Sequence, residues 1–158
     1  MTRGRRLPPS MLARRAALMS VITFALIATA CTQEKQTIQL PGSLEGLPFS
    51  SAVRVGDMLY LSGQIGVLPG TRDLAPGGTA AETRQTMENI RAVLDHAGSS
   101  MDRVVKCTVF LLDMADYQAM NEVYREFFPR DPPARSALAA SALALGARVE
   151  IECMALIE

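Results

Sequence analysis

Histidine and cysteine, the residues from which metal and redox centres are most often built, are scarce here. The 158 residues include one histidine, His96, and three cysteines, Cys31, Cys107 and Cys153. No two cysteines have CxxC spacing, so neither a zinc site nor a disulfide framework is signalled. Cys107 and Cys153 fall in β-type runs and read as buried small hydrophobes, not nucleophiles. The chain has no P-loop, no GxGxxG, no HExxH, no GxSxG and no internal repeat. It also has no long membrane-spanning run. The apolar stretch Ala16 to Ala30 is short of the roughly 20 residues needed to cross a bilayer.

An excess of either charge is missing as well, with 16 basic and 16 acidic side chains, but that balance averages two unlike pieces. Residues 1–30 hold five arginines and no carboxylate, whereas residues 31–158 hold 11 basic against 16 acidic side chains, a net charge of −5. An acidic body argues against nucleic acid, whose binding draws on a basic patch that displaces phosphate counterions. At this length the body is one domain with one core.

The arginine-rich start, the apolar run to Ala30 and a small-residue boundary read as a signal peptide over 1–30. Ala28-Thr29-Ala30-Cys31 resembles a lipobox, which makes Cys31 a candidate for lipidation and a membrane anchor. Cleavage after an Ala-x-Ala site, leaving a soluble periplasmic protein, is the alternative, and Met11 offers a shorter start. Residues 31–46, polar and broken by Pro41, Gly42 and Gly46, read as a linker.

From there the pattern is regular. Ser51 to Val55 and Met58 to Ser62 flank Gly56-Asp57 as a hairpin. Thr79 and Glu82 have capping-box spacing, and Thr83, Met87, Ile90, Leu94 and Ala97 form one helical stripe that stops at Gly98. In that stripe Met87 reads as core filler, and His96 near the helix end faces solvent or the dipole. Val104 to Leu112 is a strand, and Asp116 to Phe128 a helix with Met120, Val123, Tyr124 and Phe127 inward. Ala134 to Ser141 and Arg148 to Ile157 are further strands. The order β-β-α-β-α-β-β predicts an α+β layer with two helices on one face of a mixed, mainly antiparallel sheet. In the last strand Val149, Ile151, Cys153, Ala155 and Ile157 alternate with Glu150 and Glu152, so the carboxylate face is either solvated or closed by another subunit.

One arginine stands out. Arg135 starts a strand among alanines, where its planar fork suits a small carboxylate held in bidentate fashion. An Arg135 ion pair with Glu150 or Glu152 that braces neighbouring strands is the competing reading.

From Pro48 to Glu158 the chain resembles the RidA (YjgF) family, small proteins that hydrolyse reactive 2-imino acids. The matching pieces are Pro48-Phe49-Ser50-Ser51-Ala52, Leu61-Ser62-Gly63-Gln64-Ile65, and the helix with Gln85 and Asn89-Ile90. Further matches are Val104 to Leu111, Asn121 to Phe128, Pro133-Ala134-Arg135-Ser136 and Val149-Glu150-Ile151-Glu152, in order over most of the body. The resemblance implies a RidA-like domain over 47–158 with a chorismate-mutase-like fold, assembled as a homotrimer with clefts between subunits. It implies that Arg135 binds the substrate carboxylate and Glu150 orients or activates water. Phe49, Ser62, Gly63, Asn121 and Ala137 are implied to line the cleft, with no metal or organic cofactor. Phe49 stands where active relatives often carry tyrosine, and Ala137 where many carry cysteine. The expected activity is deamination of 2-iminopropanoate or 2-iminobutanoate to a keto acid and ammonia. A non-catalytic trimeric module binding a small carboxylate in the cell envelope is the alternative.

Overall fold

The computed structural model describes residues 34–43 and 46–157. The expected signal peptide and Cys31 lie outside the described residues. Four strands come first: β1 (Lys35–Ile38), β2 (Ala52–Val55), β3 (Met58–Leu61) and β4 (Gln64–Ile65). Helix α1 (Thr79–His96), β5 (Val104–Leu111), helix α2 (Tyr117–Phe127), β6 (Ala134–Ala139) and β7 (Val149–Leu156) complete the body. The sheet runs β1-β2-β3-β7-β5-β6 with β4 also paired to β7; every pairing is antiparallel except the parallel β5–β6 ladder. This is the expected α+β layer.

Two strands exceed that expectation. Lys35–Ile38, inside the stretch read as a polar linker, pairs along β2 as the sheet's outer strand. Its side chains are mostly exposed and carry no alternation to read, so its conformation is set by the backbone partners that β2 offers. The two-residue β4 is likewise defined by its partners Ile151 and Glu150.

The core lies between the sheet and the helices. Thr83, Met87, Ile90 and Leu94 of α1, and Met120, Val123, Tyr124 and Phe127 of α2, are buried as their spacing predicts. They meet Cys107, Val109 and Leu111 of β5 and Val149, Ile151, Cys153 and Ala155 of β7. The C-terminus of α1 closes as a Schellman motif: Ser99 N–H donates to Leu94 C=O and Gly98 N–H to Asp95 C=O, with Gly98 at φ 75°.

The start of α1 differs from the capping-box expectation. Gly78 is the N-cap, so Thr79 sits one position too far inside, with its buried hydroxyl unpartnered among the described residues. The Glu82 carboxylate turns into the body instead, where it accepts from Arg148 N–H at 2.8 Å. That backbone donor precedes β7, and a buried carboxylate satisfies it better than the solvated helix end would.

The cysteines also depart from expectation. Cys107 and Cys153 are buried, but they are joined as a disulfide across β5 and β7, where their Cα atoms face each other in register 4.1 Å apart. Their separation of 46 residues in sequence gives no hint of this; the antiparallel register brings them together.

Candidate functional site: two half-clusters on opposite faces

The register of the sheet assigns each candidate residue a face. Arg135 is the Cα partner of Cys107, which in turn faces Cys153, and Ala137 partners Val109, which faces Ile151. Those four neighbours are buried under the helices, so Arg135 and Ala137 point to the helix side. Glu150 partners Phe110, and Glu152 partners Thr108, on the other side. Arg135 and Glu150 of one chain therefore cannot grip the same small ligand. The bracing ion pair between Arg135 and either glutamate is also absent: the ion pairs among the described residues are Arg84–Glu126, Arg91–Glu88 and Arg148–Asp116.

The first half-cluster gathers around Glu150. Ser62 is tied down by its N–H to Ser51 C=O and its hydroxyl to Ser50 C=O, at 3.1 and 2.7 Å. This delivers Gly63 against the Glu150 carboxylate. A Cβ at position 63 would collide with that carboxylate, with the carboxyl carbon 2.9 Å away, so only glycine lets the acid lie flat on the backbone. Burial pushes the Glu150 carboxyl above the usual range, and the charge of nearby Glu152 adds to the rise. Gly63 also lines a cavity of about 380 Å³ shared with Phe49, Ile65, Asn89 and Leu145. Asn89 fixes its floor by donating from α1 to the Ile65 and Val67 carbonyls at 3.0 and 2.9 Å.

The second half-cluster is built on α2 and the start of β6. Arg135, Asn121, Tyr124, Phe128 and Pro133 line an open cleft of about 470 Å³. The Arg135 guanidinium lies 4.7 Å from the Tyr124 ring centroid and 5.7 Å from that of Tyr117. Nη2 donates to the Tyr117 hydroxyl at 3.2 Å and Nη1 points at the Met120 sulfur at 3.8 Å. Two aromatic rings thus hold the fork without neutralising it, since no described carboxylate pairs with it. Burial pushes the Tyr124 phenol up to about 12 despite the nearby guanidinium. Sequence patterning assigned Tyr124 to the core alone and passed over Tyr117, although its place one helical turn before Asn121 puts both on one face of α2.

The expected residues thus fall into two sets. Gly63 joins the two parts of the first set, lying against Glu150 and sharing the adjoining cavity with Phe49, with Ser62 next to it in the chain; Asn121 and Arg135 line the cleft beside α2, and Ala137 follows Arg135 on the same face of β6. The open face between them also exposes Tyr60, Leu138 and Met154, each about two-fifths accessible.

Comparison with known proteins matches the chain to a family. The family described as Endoribonuclease L-PSP matches residues 44–157. A mouse protein named 2-iminobutanoate/2-iminopropanoate deaminase is 44% identical over 108 residues, covering 68% of this chain and 80% of its own. Among solved structures, RidA from an Antarctic Psychrobacter superposes with a TM-score of 0.72 at 40% identity, covering 77% of this chain and 99% of that one. The YjgF gene product of E. coli superposes with a TM-score of 0.71 at 34% identity, covering 78% and 99%. With the family match, the identity to the mouse protein and the shared fold all coinciding on the described domain, the chain belongs to the RidA/YjgF (Endoribonuclease L-PSP) family.

Proposed function

We propose that this protein hydrolyses small 2-imino acids such as 2-iminopropanoate and 2-iminobutanoate, at sites formed between subunits of a homotrimer. The observation that carries the reading is the split of the candidate residues over two faces. A cationic clamp and a high-pKa carboxylate that cannot meet within one chain become complementary halves when two copies abut. The names of relatives such as the mouse deaminase support the same chemistry. The acidic balance of residues 31–158 favours a small carboxylate over RNA, which the family description alone would suggest.

In this reading Arg135 of one subunit holds the substrate carboxylate in bidentate fashion, with Asn121 and Ala137 beside it. Glu150 of the neighbour, backed by Gly63 and Ser62, holds a water near the imine carbon, while Phe49 forms an apolar wall. Water adds to C2 while the carboxylate takes its proton and passes it to the imine nitrogen; the tetrahedral carbinolamine then collapses, its hydroxyl proton moving through the same carboxylate to the amine, which leaves as ammonia as the keto acid forms. A carboxyl whose pKa is raised by burial is a better proton acceptor than an ordinary one, and such help contributes about 10² to 10⁴-fold. The hydrolysis consumes only water, so the chemistry calls for no cofactor.

Ammonia release from freshly generated 2-iminopropanoate tests the reading. Arg135→Ala should abolish the acceleration, and so should Glu150→Gln; mixing the two variants under reassembly should restore about a quarter of the sites by random assortment. A wild type no faster than Arg135→Ala sinks the deaminase reading. Arg135-dependent ligand binding without turnover would leave the non-catalytic carboxylate-binding module.

The same proposal places the mature protein in the cell envelope, after export by the arginine-rich leader over 1–30 and with Cys31 as the candidate lipid anchor. The Cys107–Cys153 disulfide supports an oxidising compartment, because such bonds rarely persist in a reducing cytosol. Labelled palmitate with a Cys31→Ala control distinguishes an anchored protein from a soluble periplasmic one.

A further inference from the structure

We propose that Tyr117 is a third ligand-binding group of the carboxylate clamp, its phenol donating a hydrogen bond to the carboxylate held by Arg135. The inference rests on the reading of Arg135 given above. Tyr117 opens α2 one turn before Asn121, and its hydroxyl accepts from Arg135 Nη2 at 3.2 Å. A phenol that accepts from a guanidinium keeps its own proton and turns it away from the cation, toward whatever anion the cation attracts. The guanidinium, with five N–H donors, spends one on Tyr117 and directs another at the Met120 sulfur, leaving the remainder for a ligand. An anion on that edge lies within reach of the Tyr117 O–H.

The neighbouring hydroxyls do not serve. Tyr124 is under the guanidinium, but its hydroxyl is buried without a partner, so it offers its ring and not its proton to the cleft. Phe49, on the other half-cluster, has no hydroxyl at all. Tyr117 is exposed at 37%, open to a ligand. Asn121 and, after it, the Arg135 guanidinium hold the Tyr117 phenol below the usual tyrosine value, which makes it a stronger hydrogen-bond donor.

Tyr117→Phe separates the roles, because phenylalanine keeps the ring beside the guanidinium and removes only the O–H. Calorimetric titration of the assembled protein with 2-oxobutanoate, a keto acid with the same carboxylate, should show binding about tenfold weaker in the variant, the worth of one hydrogen bond to a charged group. Turnover of the imino acid should show KM raised by a similar factor and kcat changed by less than about twofold. A titration unchanged in Tyr117→Phe overturns the inference, even if the wild type deaminates. Weakened binding in a protein that releases no ammonia upholds Tyr117 and overturns the deaminase reading. Absence of any Arg135-dependent binding of 2-oxobutanoate overturns the inference, and together with ammonia release no faster than that of Arg135→Ala it overturns the deaminase reading as well.

Discussion

The two faces of the sheet are made by the same strands and do opposite work. On β7, Val149, Ile151, Cys153 and Ala155 are at most 2% exposed beneath the helices, while the intervening Glu150, Glu152 and Met154 remain half-buried or exposed. The first set is held by packing and by a covalent cross-strand bond. The second carries charge, an elevated carboxyl pKa and apolar surface without a covering layer. A strand's period of two thus lets one eight-residue segment stabilise the domain with alternate residues and present ionisable groups with the others. The price on the open face is desolvation of Glu150, tolerable because the position is only partly buried.

That contrast is open to direct attack. The largest effect is expected from Glu150→Gln, which should lower turnover by about 10² to 10⁴-fold. The variant should still fold, because the charged form of Glu150 is the one the structure penalises. For a carboxyl raised in the folded state, the native form binds its proton more tightly than the unfolded chain does, so the group favours folding at low pH and loses that contribution as pH rises through its folded value. Activity has the opposite slope, falling as acid protonates Glu150. A thermal melt of the variant well below wild type would contradict the assignment of this face to function.

Next comes the covered face. Replacing both Cys107 and Cys153 by alanine should cost about 4 kcal/mol, the loop-closure entropy for a 46-residue separation, measured by urea unfolding under non-reducing conditions. Wild type titrated with a thiol reductant should lose a similar amount, and ammonia release per folded subunit should stay unchanged. The smallest effect belongs to Met154→Ser on the open face, expected to alter the unfolding free energy of an isolated subunit by about 0.5 kcal/mol or less. Its consequence should appear as subunit dissociation in sedimentation velocity; a destabilised subunit with an intact assembly would mean that this face packs internally.

Much of this architecture is legible from residue order. The stripe on α1, the inward set on α2 and the alternation along β7 are local periodicities, and each is reproduced in the burial. So is the hairpin turn at Gly56-Asp57. What escaped was non-local. Lys35–Ile38 has no periodicity and is a strand because β2 is beside it. Glu82 looks like a capping residue, yet its carboxylate serves a backbone donor 66 positions away. The candidate site followed the same rule: Arg135 and Glu150 were recognisable as chemistry, but their residence on opposite faces, and the contact of Arg135 with Tyr117, depend on strand register and helix placement.

The sequence by itself determined most of the secondary elements of the body, their inward faces and the candidacy of Arg135 and Glu150, because periodicity and residue chemistry are properties of short segments. Only the tertiary structure decided that Cys107 and Cys153 are bonded, that Arg135 rests between tyrosines and not against a glutamate, and that the two halves of the site point apart. Those outcomes depend on which strands neighbour one another and in what register, and this is settled by burying a common core, not by any stretch of chain alone.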